Sequence, residues 1–272
     1  MINLNGTFFN KSEKVLNANN RAFKYSDGLF ETVKVLKSKV CFGEDHYFRL
    51  MASMRMLRME IPMSFTFEFF EREILKTVVE NDLIDSRVRF SVFRQDGGLY
   101  NPITNKVDYL IEASQFEVKN KDNYSIDLFK DYYIYSGLMS TLKTTNKITN
   151  VLASIYAAEN NFDNCILLNE KKQVVEAING NVFVVNGNVI KTPPISDGCV
   201  KGIIRKKIIE IISKSKLFSI KEVSISPFDL QKSDELFITN AIIGVQAISS
   251  YKKNVFGSEV SNKLKAKLSE LV

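Results

Sequence analysis

Three groups along this chain have the types and the order to do chemistry together: the amine of Lys143, the carboxylate of Glu176, and the turn Gly202-Ile203-Ile204-Arg205. Lys143 lies in Leu142-Lys143-Thr144-Thr145-Asn146, among small polar residues rather than the acids that mark an ion-paired surface. A lysine amine attacks an aldehyde only when burial or a neighbouring cation disfavours its ammonium form. Glu176 sits in the apolar run Val174-Val175-Glu176-Ala177-Ile178, where an unpaired carboxylate is costly, unless it occupies the solvent face of an alternating strand. Gly202 permits close backbone approach and opens a helix whose first-turn amides suit a phosphate. An amine, an acid and a phosphate cradle are what a pyridoxal phosphate site requires. The lysine bonds the aldehyde, is released when substrate replaces it, and then moves the proton at the substrate α-carbon. The carboxylate keeps the ring nitrogen protonated, so that the ring draws electrons. Arg49 can add a charge-assisted bond to the phosphate, with His46 one turn earlier on the same helix face.

The elements that must position these groups follow from hydrophobic spacing. Residues 2 to about 116 read strand, strand, helix, helix, strand, strand, with extended or alternating apolar runs at Phe30–Leu36, Arg87–Arg94 and Val107–Phe116. Glu44–Met59 and Phe67–Asn81 have helical spacing on either side of Pro62, and Met51, Met54, Met56 and Met59 read as core filling. The charged stretch 119–124 has no apolar face to bury and reads as a linker between a domain at 1–118 and a second at 125–272. In that second domain two short strands precede a helix at Lys147–Asn160. Strands at Cys165–Asn169 and Gln173–Ile178 follow, and then Val182–Val185 and Asn188–Lys191 bracket Asn186-Gly187 as a type I′ hairpin. A helix at Lys201–Ser213, strands at Glu235–Thr239 and Val245–Ser250, and a closing helix at Asn262–Leu271 complete the α+β pattern.

At 272 residues and 45% hydrophobic content the chain can bury a sizeable core. No stretch has the roughly 18 apolar residues of a membrane span, and the start lacks a basic segment followed by an apolar one, so a cytoplasmic location is expected. Three unclustered cysteines and a single histidine point to neither a disulfide framework nor a metal site. The net charge of +6 is spread among acids without an arginine-rich run, which disfavours nucleic acid and suits a small anionic ligand.

Taken in order, the motifs resemble the fold type IV pyridoxal phosphate enzymes, the class IV aminotransferase family, over nearly the whole chain. Tyr25-Ser26-Asp27-Gly28-Leu29-Phe30-Glu31-Thr32 is similar to the family's Gly-Asp-Gly-Val-Phe-Glu segment, and His46 to Leu50 to its His-x-x-Arg-Leu helix. Lys143, Glu176 with Asn181-Val182-Phe183, Thr192-Pro193, Gly202 to Arg205, and Asp234 to Phe237 with Thr239-Asn240 continue the series. Ser26 stands where the family has glycine, and Asn20 where it has the aspartate of an Asp-Arg pair. The resemblance implies a homodimer of subunits with a small N-terminal α/β domain and a larger barrel-like C-terminal domain. It implies that Lys143 bonds the cofactor, that Glu176 partners the pyridine nitrogen, and that Val200 packs on the ring. Arg49, the backbone of Ile203 and Ile204, and Asn240 with Ala241 would hold the phosphate.

Within the family, the Arg94-Gln95-Asp96-Gly97-Gly98-Leu99-Tyr100 loop and Asn240-Ala241-Ile242-Ile243 are most similar to the 4-amino-4-deoxychorismate lyases. Arg94 and Phe30 would then line the substrate pocket, and Thr32 would protonate the leaving enolpyruvyl carbon. The branched-chain aminotransferases carry a tyrosine after Lys-x-x-x-Asn that this chain lacks. The D-amino acid enzymes carry an Arg-x-His trap near Gly97–Asn101 and a tyrosine at the position of Phe30, and this chain has neither. An aminotransferase remains the alternative, and a non-catalytic cofactor-binding protein a remote one, since it would be expected to lose Lys143 or Glu176.

Overall fold

The computed structural model describes residues 1–116 and 121–272. The chain divides into two compact units, Met1–Glu117 with Lys143–Asn146, and Val118–Leu142 with Lys147–Val272. Residues 119 and 120 of the expected linker lie outside the described residues. Its remainder is tied into the second unit: Tyr124 is buried, its backbone amide bonded to Ser249.

The first unit contains β1 (Ile2–Leu4), β2 (Thr7–Phe9), α1 (Arg21–Tyr25), β3 (Gly28–Leu36), β4 (Lys39–Val40), α2 (Gly43–Met56), α3 (Phe67–Val79), β5 (Ser86–Arg94) and β6 (Val107–Ser114). Its strands form one antiparallel sheet in the order β2-β1-β6-β5-β3-β4. Period-two alternation sends Val33, Val88, Phe90 and Ile111 to one face, where Leu50 and Met54 of α2 and Phe70 and Ile74 of α3 complete a water-free core. Phe70 and Phe90 meet with ring centroids 4.9 Å apart. Met51, Met54 and Met59 are buried, but Met56 points outward, because the helical stripe has turned away from the sheet by that residue. Helix α1 was not foreseen from hydrophobic spacing. Its signals are polar: Asn20 caps its N-terminus by accepting from the Phe23 amide, and Ser26 ends it in the left-handed region at φ 53°. That backbone is one that glycine adopts without strain, in keeping with the glycine that the motif resemblance places here.

The second unit comprises β7 (Ser125–Ile134), α4 (Ile148–Glu159), β8 (Asn164–Asn169), β9 (Val174–Ala177), β10 (Asn181–Asn186), β11 (Val189–Thr192), α5 (Ile203–Ser213), β12 (Ser219–Glu222), α6 (Pro227–Gln231), β13 (Glu235–Asn240), β14 (Gly244–Ile248), β15 (Ser250–Tyr251), β16 (Asn254–Val255) and α7 (Glu259–Ser269). One five-stranded sheet runs β12-β11-β10-β13-β14 and the other β16-β15-β7-β8-β9. Ile126, Leu128, Ile166, Leu168 and Val174 of one sheet pack with Val182, Val184, Leu236, Ile238 and Ile248 of the other. The two short strands expected before the helix are a single ten-residue strand, β7, with an irregularity between Phe129 and Ile134. The hairpin also differs from its sequence reading. Asn186 pairs with Val189, so Gly187-Asn188 form the loop, and of these only Gly187 has positive φ, the pattern of a type II′ rather than a type I′ turn. The Gly187→Ala variant should therefore lose about 1 kcal/mol of stability, measured by urea unfolding, because open space around the residue leaves only the backbone penalty.

Candidate active site

In the first unit, the segment carrying Lys143 is seated against the start of β3. The Phe30 amide donates to the Lys143 carbonyl (3.0 Å), the Thr145 amide to the Gly28 carbonyl (2.9 Å), and Leu29 bridges Thr144. The backbone on both sides of the lysine is thus fixed. Its amine lies 4.2 Å from the centroid of the Phe30 ring. The Arg89 guanidinium lies 3.8 Å from the same centroid. Arg89 is opposite Thr32 in the β3–β5 register, so Phe30, Thr32 and Arg89 share one face of the sheet. Burial lowers the Arg89 pKa, Glu112 opposing and Arg87 adding to the shift.

The other face of β3 presents Glu31, which is 1% exposed, to α2. It accepts from Arg49 through both of its oxygens and lies 2.7 Å from His46 Nδ1. Burial alone would raise the Glu31 pKa more than any other single influence, but Arg49 and His46 together hold it down at about 2. Burial lowers the His46 pKa, with Glu31 opposing and the nearby Arg49 and Lys143 charges adding to the fall. Arg49, the expected phosphate ligand, is thereby oriented by a carboxylate from the sheet.

Arg94 does not fit the role of substrate ligand that the sequence suggested. It is buried, and it donates to Asp27 (2.9 Å), the Asn105 side chain (2.6 Å) and the Leu57 and Arg58 carbonyls. With Arg21, which also binds Asp27 and holds the Gly97 and Leu99 carbonyls, it anchors the 94–104 loop. Arg89, which lies over the Phe30 ring, was not named in the sequence reading. The missed signal was position: an arginine on the same strand face as Phe30.

In the second unit, Glu176 is buried within a strand that has no solvent face, and its Oε2 accepts from the Val200 amide (2.9 Å). Lys147, just ahead of α4, is half-buried. Burial lowers its pKa, with Glu176 as the opposing charge. Helix α5 begins at Ile203 with Gly202 as its N-cap, and no side chain caps its first amides. The Asn181 side chain donates to the Val200 carbonyl and packs on Gly202 so closely that a Cβ there would lie 1.9 Å from its oxygen. Thr239, directly opposite Asn181 across β10 and β13, has a buried hydroxyl with no hydrogen-bond partner among the described residues. An uncapped helix start, a glycine under close contact and an orphaned hydroxyl are the donor set a phosphate would complete. Asn240 accepts from the Ile242 and Ile243 amides and shapes the turn that contains Ala241. In the sequence Thr239 enters only as part of the Thr239-Asn240 motif, with no phosphate role assigned to it.

Comparison with known proteins accords with this chemistry. The amino-transferase class IV model matches residues 28–251, and the chain belongs to that family. A Methanocaldococcus jannaschii protein, provisionally named a branched-chain-amino-acid aminotransferase, is 28% identical over 99% of this chain and 96% of its own length. A D-alanine aminotransferase from Listeria monocytogenes is 26% identical, covering 90% of this chain and 86% of its own. The aminodeoxychorismate lyase of Vibrio harveyi is 23% identical over 84% of each chain. Among solved structures, a provisionally named 4-amino-4-deoxychorismate lyase from Legionella pneumophila shares the fold with a TM-score of 0.88, at 21% identity, covering 96% of this chain and 97% of its own. A T.th. branched-chain amino acid aminotransferase, solved with pyridoxamine 5'-phosphate, has a TM-score of 0.88 at 23% identity over 99% of this chain and 92% of its own. The fold is that of the type IV pyridoxal phosphate enzymes. The protein is a pyridoxal phosphate-dependent aminotransferase or lyase.

Gly202→Ala should weaken pyridoxal phosphate binding at least ~10-fold in equilibrium dialysis; unchanged affinity would remove the phosphate from this turn. Because the folded-state pKa of Glu31 is depressed, its contribution to stability is present above pH 4.5 and is lost as pH falls towards 2. The stability gap between wild type and Glu31→Gln in urea unfolding should therefore narrow across that window, and a gap independent of pH would contradict the assignment.

Proposed function

We propose that the protein is a 4-amino-4-deoxychorismate lyase, releasing 4-aminobenzoate and pyruvate. The observation that carries the reading is the Phe30 ring with the Lys143 amine and the Arg89 guanidinium both against it, and the Thr32 hydroxyl on the same sheet face. Such a surface suits a cyclic amine that bears carboxylate: the aromatic face accepts a ring, and a partly desolvated guanidinium accepts an anion.

When bound, the cofactor supplies the electron sink that makes the carbon bearing the amino group acidic. Glu176, which its burial and the Val200 amide hold in place, is the carboxylate that would keep the pyridine nitrogen protonated. Lys143 would hold the cofactor and, once freed, would take the proton from the substrate ring carbon as the bond from the ring to the enolpyruvyl oxygen breaks. Thr32 returns a proton to the departing enolpyruvyl carbon. Aromatisation of the ring gives the step its direction. The amides of Ile203 and Ile204, Thr239, and the turn at Asn240 and Ala241 would hold the phosphate, Arg49 would be the further phosphate ligand that the resemblance implies, and Val200 would pack on the ring. A homodimer working in the cytoplasm, supplying 4-aminobenzoate for folate synthesis, is part of the proposal. The exposed apolar residues Ile148, Val151 and Ile155, at helical spacing on α4, suit a surface that a second copy covers.

The second reading, an aminotransferase of branched-chain or D-amino acids with a 2-oxo acid acceptor, is favoured by the 28% identity to the archaeal protein over nearly the full length. The two differ in where the nitrogen ends. Purified holoenzyme should form 4-aminobenzoate from freshly generated 4-amino-4-deoxychorismate, and Lys143→Ala should abolish turnover. Conversion of the bound cofactor to its pyridoxamine form by an amino acid, without 4-aminobenzoate production, would make the transaminase the correct reading.

A further inference from the structure

The face that carries Phe30 and Thr32 continues along β3 to Lys34, and Arg87 of β5 stands directly opposite Lys34. Like charges placed opposite one another in an antiparallel pair are destabilising. Among the described residues neither Lys34 nor Arg87 forms an ion pair: the Lys34 amine lies 5.3 Å from the centroid of Phe116, and the residue opposite Arg87 on β6 is Ser114. One register step away, Arg89 faces Thr32 on one side and Glu112 on the other, and the Arg87 charge further depresses its proton affinity. Three cations thus lie along one sheet face, two of them held by aromatic rings. A single acid, Glu112, is opposite any of them.

We propose that Lys34 and Arg87 form a second carboxylate site, one register step beyond Arg89, so that the substrate is a dianion rather than a simple monocarboxylic amino acid. The inference rests on the reading that substrate lies against the Phe30 face. Two residues of antiparallel strand advance about 7 Å. Long cationic side chains at that spacing can engage two carboxylates carried on one six-membered ring, or at the two ends of a five-carbon chain. A monocarboxylate would satisfy Arg89 and leave the Lys34–Arg87 repulsion in place. A dicarboxylate neutralises both positions, and the cost of the like-charge pair in the free protein becomes a preference for that class of ligand.

The test uses holoenzyme and unreactive probes: isothermal titration with isophthalate against benzoate, and with glutarate against butyrate. In wild type each dicarboxylate should bind at least ~10-fold more tightly than its monocarboxylate partner, and the advantage should shrink in high salt. In the Lys34→Gln/Arg87→Gln double variant the advantage should vanish while benzoate binding stays within ~2-fold, and Arg87→Lys should keep most of it. The unfolding midpoint of Arg87→Gln should be unchanged or higher, since a like-charge pair is removed. Equal binding of mono- and dicarboxylates by wild type, or a preference that survives in the double variant, would overturn the proposal. A dicarboxylate preference in a protein that does not turn over 4-amino-4-deoxychorismate would leave this site standing and reject the lyase. Turnover of that compound with kinetics indifferent to Lys34 and Arg87 would do the reverse.

Discussion

A carboxylate withdrawn from water must be answered by cations, and in the first unit that demand falls on Glu31. Its side chain is driven into the layer between sheet and α2, where Arg49 and His46 meet it. The cost of leaving that charge unpaired, typically about 3–5 kcal/mol, fixes the register of β3 more firmly than any single apolar contact. Because successive residues of a strand point to opposite faces, anchoring Glu31 on the helix side commits Phe30, Thr32 and Lys34 to the other. The placing of Phe30, Thr32 and Lys34 on one face is thus a by-product of burying an acid behind it. The same ion pair aims Arg49, so one residue organises both a structural layer and a candidate anion ligand.

In the second unit the organising problem is the opposite one, polar groups left short of partners. Thr239 has a buried hydroxyl with none among the described residues, α5 begins without a side-chain cap, and Asn181 presses on Gly202. A fold that tolerates such deficits in one place is shaped for something that remedies them, and phosphate oxygens do so more completely than water, bringing charge as well as acceptors. Glu176 is held there by the same logic, its strand buried throughout and its oxygen engaged by the Val200 amide.

The sequence conveyed the long elements well because their signals are repetitive. Alternation over β3, β5 and β6 and the apolar stripes of α2 and α3 survive the loss of any single residue. Short elements such as α1 and β4, with one turn or two residues each, carry no period to detect. The Gly187 turn was visible as a turn, but its register by one residue was not, since that depends on which strand residues find partners. Site residues divided in the same way. Lys143, Glu176 and the Gly202 turn sit in distinctive local sequence. Arg94 and Arg89 look alike in the sequence, and only tertiary contacts separate the one that ties down a loop from the one that lies over Phe30. Chemistry that depends on which face of a strand a charge occupies becomes legible only once the register is known.

The seating of residues 143–146 on β3 has a consequence for how the protein is made. Thr145 bonds to the carbonyl of Gly28 from 117 residues further along the chain. During synthesis from the N-terminus, β1 to β6 and both long helices can emerge and pack before this segment leaves the ribosome, and domains generally fold as units in that order. The segment that carries Lys143 is therefore the last part of its unit to arrive. Until it docks, the nascent chain holds the six-stranded sheet without the segment that carries Lys143.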